Sequence, residues 1–237
     1  MKNISGLLIF TIALLLSGCG SSGGGGTATG TGGGGGTPTD TSIDFSLFPP
    51  TFFTSYDVSA DLTGTFSNGV NPDVAVTGSV TEKIQAQSTF LGQAAIPFRM
   101  TTTFTSSIAY GTAVITNYYN MDAANRRFLG SEDDVTSTAL TTPTVIPKTA
   151  RIGDSGSVGV YVDVDGLEST ITWRLEDGFD GKAKLIVFNK TNKASGAPDN
   201  TVTTTYLIQA DGTRLSVEIV TYNETVKITN TLSGVYK

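Results

Sequence analysis

Chemistry needs groups that can move a proton, attack a carbon or hold a metal, and this chain of 237 residues has few of them. It contains no histidine and a single cysteine, Cys19. Without an imidazole there is no Ser-His-Asp or Cys-His catalysis, and no His-ligated zinc, copper or haem iron. A lone cysteine forms no internal disulfide, so the fold must stand on its core. Carboxylates remain. Asp163, Asp165 and Glu168 fall at one turn, Asp177 and Asp180 at the next, and Glu132, Asp133 and Asp134 form a third group. Two such groups hydrolyse a glycoside only when they face each other across a cleft at roughly 5–10 Å. Nothing in their spacing sets a pair that way, and solvated turn residues account for all three groups. The chain is expected to bind rather than to catalyse, with a carboxylate-dependent glycan hydrolase as the enzymatic alternative.

Two short motifs sharpen that expectation. Gly153-Asp154-Ser155-Gly156 resembles the segment around the nucleophilic serine of chymotrypsin-like proteases, over four residues. That serine needs a base to take its proton, and the chain has no imidazole to do so. The Gly-x-Ser-x-Gly elbow fails at Ser157, and Lys148 lacks a Ser-x-x-Lys spacing. A turn ahead of Val158 is the simpler account. Asp163-Val164-Asp165-Gly166 resembles the start of an EF-hand loop, but Leu167 follows and the twelfth position is Arg174 rather than glutamate. No metal or other cofactor is expected, and calcium at the acidic turns is left open. Trp173 is expected in the core rather than as a ligand platform. Tyr118-Tyr119 must send one ring to each face of a strand, where one of them lines a groove or covers the second face.

The head of the chain carries the most specific signal. Residues 1–19 read MKNISGLLIFTIALLLSGC, with Lys2 ahead of a mostly apolar run from Ile4 to Leu16. Spanning a bilayer takes about 20 apolar residues, so this run reads as a signal-peptide core rather than an anchor helix. It ends in Leu16-Ser17-Gly18-Cys19. That ending resembles the lipobox of bacterial lipoprotein precursors. The resemblance implies cleavage between Gly18 and Cys19, with a diacylglyceryl group on the Cys19 sulfur and an acyl chain on its new amino group. Several chains hold a protein on a membrane where one does not. Gly20 and Ser21 follow the cysteine where an aspartate would retain the protein at the inner membrane, so the resemblance implies the outer membrane. Its periplasmic and cell-surface faces both stay open.

Residues 19–42 then form the lipidated N-terminus and a tether. Of the 28 glycines in the chain, 11 lie between Gly20 and Gly36, and no side chain there exceeds threonine. Such a stretch cannot bury enough surface to offset its ordering entropy, and it is expected to be a disordered linker. A phosphate-binding glycine loop would need a preceding strand and a following helix, and neither is present in the pattern.

From Ile43 to Lys237 the composition changes to apolar, aromatic and threonine-rich, and one all-β domain is expected. Phe45, Leu47, Phe48, Phe52 and Phe53 around Pro49-Pro50 suggest an extended segment docking on the body. Period-two alternation then takes over: Val58, Ala60, Leu62 and Phe66; Val74, Val76 and Val80 through Ile84; Ile96, Phe98, Met100 and Phe104. Further runs are Val114 to Met121, Arg126 to Glu132, Val158 to Val164, Ile171 to Leu175, Ala183 to Phe188, Leu215 to Ile219 and Val226 to Leu232. Pro143 and Pro147 mark a crossing between halves. Ten to twelve strands joined by short turns describe an antiparallel meander forming a curved sheet, a barrel or a sandwich. The formal charge of −6 gives no basic face for nucleic acid. The expected function is that of an outer-membrane-anchored lipoprotein whose β-domain binds an envelope protein, a glycan or an apolar ligand. A carrier of an apolar molecule, loosely similar to half-barrel envelope lipoproteins, is the more specific form.

Overall fold

Strands with apolar residues on one face and threonine on the other must pair edge to edge and curl until the apolar face is covered. The computed structural model describes residues 36–133, 137–162 and 166–237, and every regular element among them is a strand. In chain order these are β1 (Phe45–Ser46), β2 (Asp57–Ser67), β3 (Val74–Ile84), β4 (Ser88–Phe90) and β5 (Gln93–Ser106). They continue with β6 (Tyr110–Asn120), β7 (Phe128–Glu132), β8 (Ser137–Ala139), β9 (Thr149–Ala150) and β10 (Ser155–Val162). The last five are β11 (Glu168–Phe179), β12 (Lys182–Asn192), β13 (Pro198–Ile208), β14 (Arg214–Asn223) and β15 (Ile228–Val235).

One antiparallel sheet runs β10-β11-β12-β13-β14-β15-β2-β3-β5-β6-β7-β8, with β4 folded back on β5. Sheet neighbours follow chain order, with β4 skipped between β3 and β5, apart from β15, which pairs with β2 so that Leu232 stands opposite Gly64. The two free edges approach each other through residues 140–146. Thr141 N–H donates to Val160 O at 2.8 Å and Thr144 N–H to Val158 O at 3.0 Å. On the other side Leu140 N–H donates to Leu129 O at 2.9 Å and Ile146 N–H to Arg126 O at 2.8 Å. Leu140 and Val145 form only isolated bridges, to Tyr161 and Arg127, and Pro143 between them lacks an N–H, so this stretch serves as an irregular stave. Among the three architectures the pattern allowed, the fold is the nearly closed barrel.

Inward rows are apolar: Ala60, Leu62 and Phe66 on β2; Val76 and Val80 on β3; Phe98, Met100 and Phe104 on β5; Ile171, Trp173 and Leu175 on β11. Outward rows are polar: Ser59, Asp61, Thr63 and Thr65 on β2; Thr77, Ser79 and Thr81 on β3; Thr201, Thr203 and Thr205 on β13. A lipid-facing barrel carries its apolar band outside; here the apolar face is inside. β15 packs closely on β2 at Gly64, where a Cβ would overlap the carbonyl oxygen of Thr231 on β15.

Two strands depart from simple alternation. Val158, Val160 and Val162 do not share a face. A bulge between Ser157 and Gly159 inserts an extra residue, so Val158 and Tyr161 point inward and Val162 is exposed. Gly159 takes a φ of 154° there, and a Cβ on it would overlap the Leu140 side chain. β13 occupies a threonine-rich stretch in which no strand is expected from the pattern, and it buries Val202, Tyr206 and Ile208.

Candidate functional site inside the barrel

The chain enters at one end of the barrel. Thr37 N–H donates to Asp180 Oδ1 at 3.0 Å, Thr39 N–H to Asp177 Oδ1 at 3.2 Å, and Thr39 Oγ1 to the Lys182 carbonyl at 2.9 Å. The barrel's contacts with the chain therefore begin before Ile43. Residues 43–56 then cross this end: β1 pairs with β9, Ser46 N–H donates to Ala210 O, and Leu47 N–H to Lys148 O. Phe45, Leu47 and Phe52 are buried, and Phe52 stacks on Phe98 with ring centroids 4.7 Å apart. Arg126 lies 3.9 Å above the Phe53 ring, a cation–π contact that fastens the segment from the β6–β7 side. The aromatic segment anticipated in the sequence is thus a plug.

A charged knot lies directly beneath it. Glu82, fully buried at an inward position of β3, is ion-paired with Arg214. Three phenols donate to the same carboxylate: Tyr236 to Oε1 at 2.7 Å, Tyr206 to Oε1 at 3.2 Å and Tyr56 to Oε2 at 3.3 Å. The guanidinium also covers the Tyr206 ring at 3.9 Å and the Phe52 ring at 5.2 Å. Burial pushes the phenols of Tyr56, Tyr206 and Tyr236 far above their ordinary value, and the Glu82 charge adds to this. Burial alone would lower the pKa of Arg214, but Glu82 and the phenols hold it well above the usual range. The knot joins the plug, β3, β13, β14 and the C-terminus.

Beside the knot the barrel interior leaves a cavity, a hollow among the core side chains. The cavity, about 110 Å³, is lined by Phe52, Phe98, Tyr119, Phe128, Trp173 and Tyr206, with aliphatic side chains from β5, β10, β11 and β12. The interior under β15, β2 and β3 is filled by Leu62, Val76, Phe66, Phe104 and Leu232. Tyr119, Val187 and Thr204 line the hollow and are only half-buried. Burial raises the Tyr119 phenol to about 12. Asn117 on β6 and Asn189 on β12 also line this space, each 2% exposed. Neither Asn189 amide atom has a hydrogen-bond partner among the described residues; the same holds for Asn117 Oδ1 and Arg214 Nε. Beyond Asn189 the far end carries a buried polar layer, in which Ser169 and Thr191 share a hydrogen bond of 3.0 Å and Asn200, Thr221 and Asn230 follow.

No family model matches the chain, and no curated protein or solved structure matches it significantly.

Cys19, with the Gly18–Cys19 junction, lies outside the described residues. So do Asp134, Asp163 and Asp165. Glu168 opens β11 at the far end of the barrel, while Asp177 sits near the other end of the same strand, roughly 30 Å away at strand rise. Asp177 and Asp180 share the β11–β12 hairpin, and both accept from backbone N–H groups of the entering chain. Hydrogen bonds from Phe179 and then Thr39 hold the Asp177 carboxyl below its usual range. Glu132 accepts the Tyr118 hydroxyl at 2.6 Å. Asp154 closes a tight turn by accepting Arg151 N–H at 2.8 Å, which places Ser155 at the start of β10. Trp173 is buried in the core and also faces the hollow. Tyr118 points outward and stacks on Phe90 at 4.2 Å in a small cluster under β4, while Tyr119 points inward.

The sequence reading does not anticipate Glu82, Arg214, Asn117 or Asn189. For three of them the signal is present in the strand phase. Glu82 is in phase with Val76, Val80 and Ile84, Asn189 with Leu185 and Val187, and Asn117 with Ala113 and Ile115. A polar residue on an otherwise apolar row is the mark of a buried polar site.

Proposed function

We propose that this protein is a lipid-anchored binding protein of the bacterial cell envelope, whose barrel takes a small apolar molecule into its interior. The hollow carries this reading. It is an apolar space inside a barrel with a polar outer wall, and it contains buried amides without protein partners among the described residues. Pockets that bind small molecules combine an apolar lining with a few polar groups that fix orientation. The Leu16-Ser17-Gly18-Cys19 motif supports an outer-membrane anchor, and the glycine tract supports a tether. The plugged end receives the tether, so the polar layer lies at the end away from it.

Mass spectrometry of protein extracted under mild conditions tests the binding half. A stoichiometric, small, apolar molecule released on unfolding is the expected result; a barrel that carries none, and takes up none when offered apolar compounds, overturns it. Labelling with radioactive palmitate tests the anchor. Wild type is expected to label and Cys19→Ala is not; label that survives the substitution refutes the anchor. Protease treatment of intact cells then assigns the barrel to the surface or to the periplasm.

A further inference from the structure

We infer that the occupant of the barrel is a neutral, ring-sized molecule bearing one hydroxyl or carbonyl group, held by Asn189 and Asn117. This rests on the reading of the hollow as a binding site and adds the chemical class of its ligand.

Size comes first. At about 110 Å³ the cavity is of the order of the roughly 150 Å³ apolar cavity known to take up benzene. That suits one ring and is too small for a long acyl chain, which separates this barrel from carriers of whole lipids. Shape follows from the walls. Phe52, Phe98, Tyr119, Phe128 and Trp173 line the space, and aromatic walls favour a flat or alicyclic body.

Charge comes next. The cation at the hollow, Arg214, is already neutralised by Glu82. Because Glu82, buried behind it, already takes up the charge of Arg214, an anionic ligand would lose its hydration without a free counter-charge. A neutral molecule meets no such opposition. The polar group is set by the orphan atoms. Asn189 offers a donor and an acceptor, Asn117 Oδ1 an acceptor and Arg214 Nε a donor. A buried polar atom without a partner is costly, and a ligand group that supplies the partner recovers that cost. A hydroxyl can donate to one amide oxygen while accepting from an N–H, and a carbonyl can accept from Asn189 Nδ2 or Arg214 Nε.

The chain supplies its own reporter, because Trp173 is its single tryptophan and faces the hollow. Cyclohexanol, cyclohexanone, methylcyclohexane and cyclohexanecarboxylate are titrated at pH 7 against the purified full chain, with Trp173 emission as the signal. Saturable changes are expected with cyclohexanol and cyclohexanone, and none with the carboxylate over the same range. Asn189→Leu should weaken cyclohexanol about five- to tenfold and leave methylcyclohexane unchanged. Asn117→Leu provides a second variant if the first does not fold, judged by its circular dichroism. Carboxylate binding as tight as the alcohol overturns the inference. So does an alcohol affinity that neither substitution changes, although methylcyclohexane binding would then leave the proposed apolar site standing. Failure of every ring compound to alter Trp173 emission would remove both.

Discussion

Removing the carboxylate of Glu82 offers the sharpest test of how this barrel is held together. In Glu82→Ala, Arg214 keeps its guanidinium in a site where its side chain is 8% exposed, with ring faces around it and no counter-charge. Breaking a buried pair in this way costs about 3–5 kcal/mol. Three phenols also lose their acceptor, at about 1 kcal/mol each where nothing replaces it. The expected loss is thus at or above the upper end of that range, against a total stability of about 5–15 kcal/mol for a domain. Glu82→Leu combined with Arg214→Met removes both charges and keeps the volume, and it should recover the ion-pair part of the loss while the phenols stay without their acceptor. Urea unfolding followed by Trp173 emission measures both variants, with an unchanged slope showing that the native state remains compact. A Glu82→Ala variant within about 1 kcal/mol of wild type, or a double variant no more stable than the single one, would refute the reasoning.

Other perturbations reach different parts of the barrel. Phe52→Ala removes the plug's central ring, 1% exposed, and should cost about 3–5 kcal/mol in the same urea assay, a loss far below this showing that the plug contributes little. Gly64→Ala forces a Cβ into the Thr231 carbonyl and should lower the melting temperature by several degrees, whereas Gly69→Ala, at a turn with open space around it, should cost no more than the strain of its positive φ. Alkaline titration followed by the phenolate absorbance should show Tyr56, Tyr119, Tyr206 and Tyr236 failing to ionise near the ordinary phenol value of about 10. Because their folded pKa values lie above the unfolded value, their contribution to stability is complete below about pH 10. It is lost as pH rises through the folded values, the Tyr119 part being gone by about pH 12. Ionisation of all eight tyrosines near pH 10 without unfolding would contradict the buried knot.

Where one face of a strand is buried and the other wet, the fold was legible in the sequence. β2, β3 and β5 show this, because Ala60-Leu62, Val76-Val80 and Phe98-Met100 alternate with threonine, serine or charge. The docking role of Phe45 to Phe53 was legible too, since five large apolar residues around two prolines need a surface to cover. β13 was not, because its outward threonines also form a loop-like composition and Val202, Tyr206 and Ile208 are too sparse to stand out. The β10 faces were not legible because a bulge changes the phase at Gly159, and no residue pattern marks it beyond the glycine itself. The carboxylates drew attention as possible catalysts, yet those described at the turns mainly fasten backbone N–H groups. Glu82, the buried carboxylate among the described residues, sits alone on an apolar row. The candidate site was hidden because it is assembled from β5–β7 and β10–β13, which only closure of the sheet brings together.

The pairing of β15 with β2 also sets the order in which this chain can fold. Apart from this pair, the sheet neighbours are joined by a hairpin or a short connection, so most of the sheet can form from contacts close in sequence. The β15–β2 ladder instead joins residues 229–233 to residues 63–67 and must close a loop of well over a hundred residues. Loop closure on that scale is entropically costly and slows folding. Formation of the two meanders should therefore come early and circularisation late. Substitutions that weaken only the β15–β2 seam would then chiefly speed unfolding, while leaving the rate of refolding nearly unchanged.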